Sequence, residues 1–182
     1  MIIRAARPGD ALRIATVHVE AWRIAYRGIV PDHFLNSLSI EERAARWRKD
    51  LEAGHPLTWI AELGDSGTKL GWISAGASRD EDATPPTGEI WAVYIDPDNW
   101  GKGVGRALCH TAEQELRRRG FTQVTLWVLE QNERALRFYQ SNGFVRDECK
   151  YRLSSRGGRE LREVRLRKQF SEPDVAAGYS VT

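Results

Sequence analysis

Apolar positions along this chain change their period twice, and each change marks a change of element. Residues 2–3 open a short β-run that ends at the turn signal Pro8-Gly9-Asp10. Leu12, Ala15, Val19, Trp22 and Tyr26 then recur at steps of three and four, the spacing of one helical face, and Gly28 ends that helix. Pro31-Asp32 starts a new segment. Ser39 followed three residues later by Glu42 is a capping-box signature, which predicts a second helix to about residue 53, just before Gly54.

From there the period shortens. Residues 57–63, 70–78 and 89–95 are rich in β-branched and aromatic side chains, with turn-forming stretches at 64–67 and 80–88, and short connections make them an antiparallel meander. Helical spacing returns with Val104, Ala107, Leu108, Ala112 and Leu116; Arg117, Arg118 and Arg119 sit at the negative end of that helix and Gly120 stops it. A buried strand follows at 124–128, then a helix capped by Asn132 and stopped at Asn142-Gly143, then β-runs at 144–153 and 161–166 around Gly157-Gly158. The predicted order is β-α-α-β-β-β-α-β-α-β-β. This is an α/β (α+β) fold, with a mixed, mostly antiparallel sheet and helices on both faces. It predicts one domain over residues 1–169 and a loose tail over 170–182, where composition turns small and polar.

Composition narrows the function. The chain has 182 residues, enough to bury one sizeable core without staples, and is 41% hydrophobic and 29% charged. A net charge of +2 lacks the one-sided basic excess of a nucleic-acid-binding protein. Cys109 and Cys149 have neither metal-ligand nor redox spacing, so a reducing, cytoplasmic setting is expected and no metal. Residues 1–7 contain no apolar leader, and charges interrupt every apolar run well short of ~18 residues, so no signal peptide and no membrane span are expected.

The richest chemistry lies in 89–106. A β-run feeds a loop with glycines at 101, 103 and 105, and a helix begins inside that loop. Without Cβ atoms the backbone can approach an anion and aim successive N–H groups at it, while the helix N-terminus adds free donors and a positive dipole end. A structural turn also explains three glycines, but two rival phosphate cradles do not fit. The P-loop needs Ser or Thr after its lysine, where Lys102 is followed by Gly103; the dinucleotide fingerprint needs GxGxxG early in a βαβ unit, where this chain has GxGxG after a meander.

Trp100-Gly101-Lys102-Gly103-Val104-Gly105 resembles motif A, [QR]xxGx[GA], of the GCN5-related N-acetyltransferase (GNAT) superfamily, with Trp100 standing where the pattern has Gln or Arg. Leu126-Trp127-Val128, Asn132, Ala135, Phe138-Tyr139 and Asn142-Gly143-Phe144 resemble its motif B, and Trp22 to Gly28, with Pro31 and Trp47, resembles a bacterial branch. The likeness spans roughly residues 2–168.

The resemblance implies direct transfer of an acetyl group from acetyl-CoA to an amine, with no covalent enzyme intermediate and the possibility of a homodimer. It also implies roles. Gly101, Lys102, Gly103, Val104, Gly105 and Arg106 hold the pyrophosphate. Val93 and Ile95 present strand backbone to the thioester and pantetheine, the Val93 N–H as an oxyanion donor. Tyr139 is the general acid for the departing thiolate, or a core aromatic beside Ala135 and Leu136. Glu89 is the base, acting through water with a proton affinity raised by an apolar border, or a solvated strand-end carboxylate. Asn132 binds the pantetheine arm or is spent on capping its helix.

Trp22, Tyr26 and Arg27 are expected to line the acceptor site, although Trp22 and Tyr26 also suit an amphipathic core stripe. Aromatic walls favour an organic amine. Asp80-Glu81-Asp82 either draws in a cation or is simply solvated. Alternatives that keep this fold are a longer acyl donor, a hydroxyl acceptor, or a non-catalytic acyl-CoA sensor.

Overall fold

A computed structural model describes residues 1–64, 68–84 and 86–170. The turn expected at 64–67 falls mostly outside these residues, and the expected tail falls outside them beyond Phe170. Phe170 itself is not loose. Its N–H donates to the Thr122 carbonyl at 2.8 Å and the Arg117 guanidinium lies 4.7 Å from its ring centre.

Seven strands form one sheet in the order β1-β2-β3-β4-β5-β7-β6: β1 (Ile2–Ala5), β2 (Leu57–Glu62), β3 (Lys69–Ala77), β4 (Thr87–Ile95), β5 (Gln123–Leu129), β6 (Val145–Arg156) and β7 (Arg159–Gln169). Every neighbouring pair is antiparallel except β4 and β5, which run parallel. α1 (Ala11–Ala25), α2 (Asp32–Asn36), α3 (Ile40–Glu52), α4 (Val104–Arg118) and α5 (Glu133–Ser141) complete the order. The five-residue α2 was not anticipated, because one turn and a half carries no readable period.

The caps act as their residue types require. Ser39 Oγ accepts the Glu42 N–H at 3.1 Å and Asn132 Oδ1 accepts the Ala135 N–H at 3.1 Å, each satisfying a donor that its helix leaves free. Helix α1 turns the expected face inward except at its first position: Ala15 and Val19 are buried and Trp22 and Tyr26 pack against Val19. Leu12 is 56% exposed, while Ala11, Ile14, Ala15, Val17, Val19 and Ala21 are buried. The helix is covered by both the sheet and α3, so its buried stripe is wider than the one row read from the sequence, and only Leu12 of that row points to solvent.

The two faces of β4 serve two cores. Val93 and Ile95 pack with Leu108, Ala112, Leu116, Leu126 and Phe144 on the α4 side, and Ala92 and Tyr94 pack with Ile14, Val17, Ile60 and Trp72 on the α1 side. Ser74 pairs with Ala92 and Ala75 with Ile90, so Trp91 is an extra, bulged residue that bends β4 at its midpoint.

Close approach of β3 and β4 requires glycine at 71. A Cβ there would lie 2.6 Å from Ile95 Cδ1 and 2.7 Å from the Tyr94 carbonyl oxygen, which is backbone and cannot swing aside. Gly71→Ala is therefore expected to cost about 1–3 kcal/mol and lower the thermal midpoint by roughly 3–10 °C. Gly9→Ala, where a Cβ would meet nothing within 4 Å, is the control and should leave the midpoint near wild type.

Candidate active site

Strands β4 and β5 pair over only three registered residues, Thr87 with Gln123, Gly88 with Val124 and Glu89 with Thr125. Beyond that point β4 stays with β3 as far as Ile95 and β5 stays with β7 as far as Leu129. The sheet thus splits along its only parallel seam, and the split is a cleft of about 660 Å³. Of the residues singled out from sequence, Trp22, Tyr26, Glu89, Val93, Ile95, Gly101, Gly103, Val104, Gly105, Arg106, Asn132 and Tyr139 line it. Lys102 and Arg27 do not; both are exposed, and the Lys102 ammonium reaches Asn99 Oδ1 at 3.4 Å instead.

One end of the cleft is built for an anion. Gly101 and Gly103 have φ of 76° and 82°, a left-handed backbone that favours glycine, and a Cβ on either would point into open space. Gly103 is the N-cap of α4 and supplies no side-chain cap, so the N–H groups of Val104, Gly105 and Arg106 have no partner within the helix. Gly105 is glycine for another reason: its Cβ would sit 3.0 Å from the Phe138 ring, so it lets α5 close on α4.

Trp100, the departure from motif A, is fixed by its Nε1–H to the Ile95 carbonyl at 2.9 Å. The Arg134 guanidinium stacks 3.3 Å from its ring centre; the residue is exposed overall, but desolvation against the indole holds its pKa below the usual guanidinium range. Arg134 lines the cleft and forms no ion pair with a described residue. Helix α5 thus places a guanidinium on the rim where residue 100 supplies none. The contact joins residues 34 positions apart, which is why the sequence did not reveal it.

Tyr139 is buried at the waist of the cleft. Its hydroxyl has no hydrogen-bond partner among the described residues, and burial raises its pKa well above 10, with Cys109 and Tyr94 adding to the shift. The phenol therefore keeps its proton throughout the neutral range. The buried Cys109 thiol is pushed up to about 12, by burial first and Glu113 next, so it is a poor nucleophile. Asn132 spends its oxygen on the helix cap, which leaves its NH₂ free to donate.

Glu89 is not the solvated strand-end carboxylate that the sequence also allowed. It faces the cleft at 1% exposure, but Arg79 occupies it: the Arg79 N–H and Nε donate to Oε2 at 2.9 and 3.1 Å, and the other arm of the guanidinium grips Oε1. A carboxylate held at both oxygens anchors the chain after β3. The acidic loop is likewise committed. Asp80 and Asp82 pair with Arg165 at 3.2 and 2.6 Å, Asp82 also pairs with Lys150, and Trp127 Nε1 donates to Asp80 at 2.8 Å.

The other end of the cleft has the aromatic wall that sequence placed there. Tyr26 and Tyr94 are driven above the ordinary phenol range chiefly by burial. His18 stacks on Tyr94 at 4.5 Å, and neither of its nitrogens has a hydrogen-bond partner. Trp22 Nε1 interacts with the Tyr94 phenol but forms no well-aligned hydrogen bond. Burial, with Arg43 adding to it, lowers His18 to about 3.

The sequence profile of the acetyltransferase (GNAT) family matches residues 19–144. The chain belongs to this family. It is therefore an acetyltransferase. An uncharacterized N-acetyltransferase of Bacillus subtilis, YuaI, is 34% identical over 139 residues, covering 76% of this chain and 77% of its own. The L-amino acid N-acyltransferase MnaT of Escherichia coli is 29% identical over 178 residues, covering 96% and 99%. Among solved structures, yncA of Salmonella typhimurium, a putative acetyltransferase determined with its cofactor acetyl-CoA, superposes with a TM-score of 0.70 at 24% identity over 100% of this chain and 99% of its own.

His18, stacked on the cleft-lining Tyr94, carries an acid-side signature. The unfolded chain takes up its proton near pH 6.5 and the folded protein only near 3, so this group's stabilisation is full above 6.5 and is lost as pH falls towards 3. Between pH 6.5 and 5 it should remove up to about 1.4 kcal/mol per pH unit. In denaturant titrations across that window, His18→Phe should flatten the slope.

Proposed function

We propose that this acetyltransferase carries an acetyl group from acetyl-CoA directly to the primary amine of a small molecule or peptide. The observation that carries the reading is the joining of two features by one cleft: the uncapped N-terminus of α4 behind two left-handed glycines, and the unpartnered Tyr139 phenol. The first suits the CoA pyrophosphate, held by the N–H groups of Val104, Gly105 and Arg106, by the Arg106 side chain, and by Arg134 from above Trp100. In this reading the Asn132 NH₂ donates to a pantetheine amide and the backbone of Val93 and Ile95 meets the thioester; all three residues line the cleft, which supports it.

In this mechanism the amine nitrogen attacks the thioester carbonyl carbon, and strand backbone donors including the Val93 N–H stabilise the oxyanion. The C–S bond then breaks. Tyr139 gives its proton to the thiolate as the C–S bond breaks, and the phenolate regains a proton from water before the next turnover. The amine's surplus proton leaves through water, because the lining carboxylates are already held by arginine. Acetyl-CoA here is a co-substrate, consumed in each turnover.

Acetyl-CoA-dependent thiol release over an amine panel, with binding followed by calorimetry, tests the reading. Tyr139→Phe should lower kcat about 10²-fold or more with little change in the Kd for CoA. Arg134→Ala should do the reverse, weakening CoA about 10-fold or more as a charge-assisted contact is lost, with kcat at saturation largely kept. Full activity of Tyr139→Phe would remove the phenol from the mechanism, and absence of CoA binding by the wild type would remove the whole reading.

A further inference from the structure

The charges lining the cleft do not balance. At the end away from the α4 N-terminus the lining carboxylates are Glu89 and Glu163, and both are spent. Arg79 holds Glu89; Arg152 Nε and Ser154 Oγ hold Glu163. The same wall carries Arg156, half-buried on β6, whose one hydrogen bond to the described residues goes from a guanidinium nitrogen to the neighbouring Ser155 carbonyl at 2.9 Å. No carboxylate among the described residues pairs with it.

A second unpaired guanidinium stands close by. Arg43, half-buried on α3, lies 5.7 Å from the ring centre of Trp22, which lines the cleft. It too forms no ion pair among the described residues. Burial lowers its pKa first; Tyr94 and Glu42 offset this in part, and Arg46 and Arg156 add to the lowering, so the two cations feel each other's repulsion without a paired carboxylate between them. The packing that holds Arg156 there is specific. At the β6–β7 turn a Cβ on Gly157 would lie 2.8 Å from Phe34 Cβ and 2.9 Å from His33 Nε2, so the hairpin tip is pressed against α2. Trp22 Nε1–H, buried without a well-aligned acceptor, is a further donor on this wall.

Two half-buried like charges beside each other cost stability unless something negative joins them. An acceptor with a second positive charge, such as a polyamine, would meet no free carboxylate here. An acceptor with an anionic group would meet unpaired donors.

We propose that the acceptor end of the cleft selects amines that also carry an anionic group, a carboxylate or a phosphate, which Arg156 contacts directly and Arg43 attracts from beside Trp22. This rests on the acetyl transfer proposed above and names the class of amine it serves. An α-amino carboxylate and a phosphorylated alkylamine share the required chemistry, a primary amine and an anion a few bonds apart. Planar guanidinium donors suit both.

The test is a set of matched pairs in the thiol-release assay with full-length protein: L-amino acids against their amides, and phosphoethanolamine against ethanolamine. Each member is also titrated calorimetrically into CoA-saturated protein, so that binding is read even where turnover is slow. The anionic member of at least one pair should be preferred by tenfold or more in kcat/KM or Kd. Which pair responds tells carboxylate from phosphate. Arg156→Gln should collapse that preference mainly through KM, Arg156→Lys should restore part of it, and Arg43→Gln should reduce it less, with acetyl-CoA binding kept in all three. Equal use of charged and neutral partners, preference for cationic amines, binding of no anionic member, or a preference that survives Arg156→Gln would each overturn the proposal while leaving acetyl transfer standing. Failure of acetyl-CoA to bind the wild type would remove both.

Discussion

Everything functional in this protein depends on how far β4 and β5 stay hydrogen-bonded. Three registered pairs hold them at Thr87–Glu89, and then each strand follows its antiparallel partner away from the other. A continuous sheet would bury the backbone of residues 92–95 in a ladder. The split leaves one side of that strand facing a cleft, where it is available to a ligand that can supply the missing hydrogen bonds. The bulge at Trp91 helps, because an extra residue in β4 turns the strand at the point where the seam opens.

The two ends of the cleft are furnished by different physics. At the α4 end the groups are backbone: left-handed glycines and an uncapped helix start, with Arg134 stacked on Trp100 at the rim. At the other end they are side chains, aromatic rings from α1 and β4 and arginines from β6 and from α3 behind Trp22, some neutralised by carboxylates and some not. The ion pairs around the cleft do most of their work as fasteners. Arg79 on Glu89 and Arg165 on Asp80, Asp82 and Asp147 tie the β3–β4 connection down over β5 and β7. Truncating one partner would strand a charge that is otherwise compensated, so the cost falls on the shape of the cleft wall as well as on stability.

What could be read from the sequence follows from how local each determinant is. The glycine loop, the Ser39 and Asn132 caps and the Gly120 stop each depend on residues within a few positions, and the structure has them where the sequence puts them. The periodic strands gave the antiparallel meander, and the chemistry of the motif residues carried the family. Long-range pairings were invisible. Nothing near Glu89 indicates that Arg79 will clamp both its oxygens, and nothing near Asp80 points to Arg165, 85 residues on. Arg134, Arg156 and Arg43 carry no local signal at all, since an arginine on a helix or a strand end is ordinary until its neighbours are known. Leu12 shows the limit of periodicity itself, because a helix covered on two sides buries more than one row, and the first residue of the row read from the sequence turns out to solvent.

The most direct test of this account is amide hydrogen exchange with and without saturating acetyl-CoA. If the split seam is the cofactor site, protection should rise at the amides of residues 92–95 and 103–106 and at the start of α5, with β1 and β2 unchanged. Uniform protection across the sheet, or none at the α4 N-terminus, would contradict it and move the cofactor out of the cleft between β4 and β5.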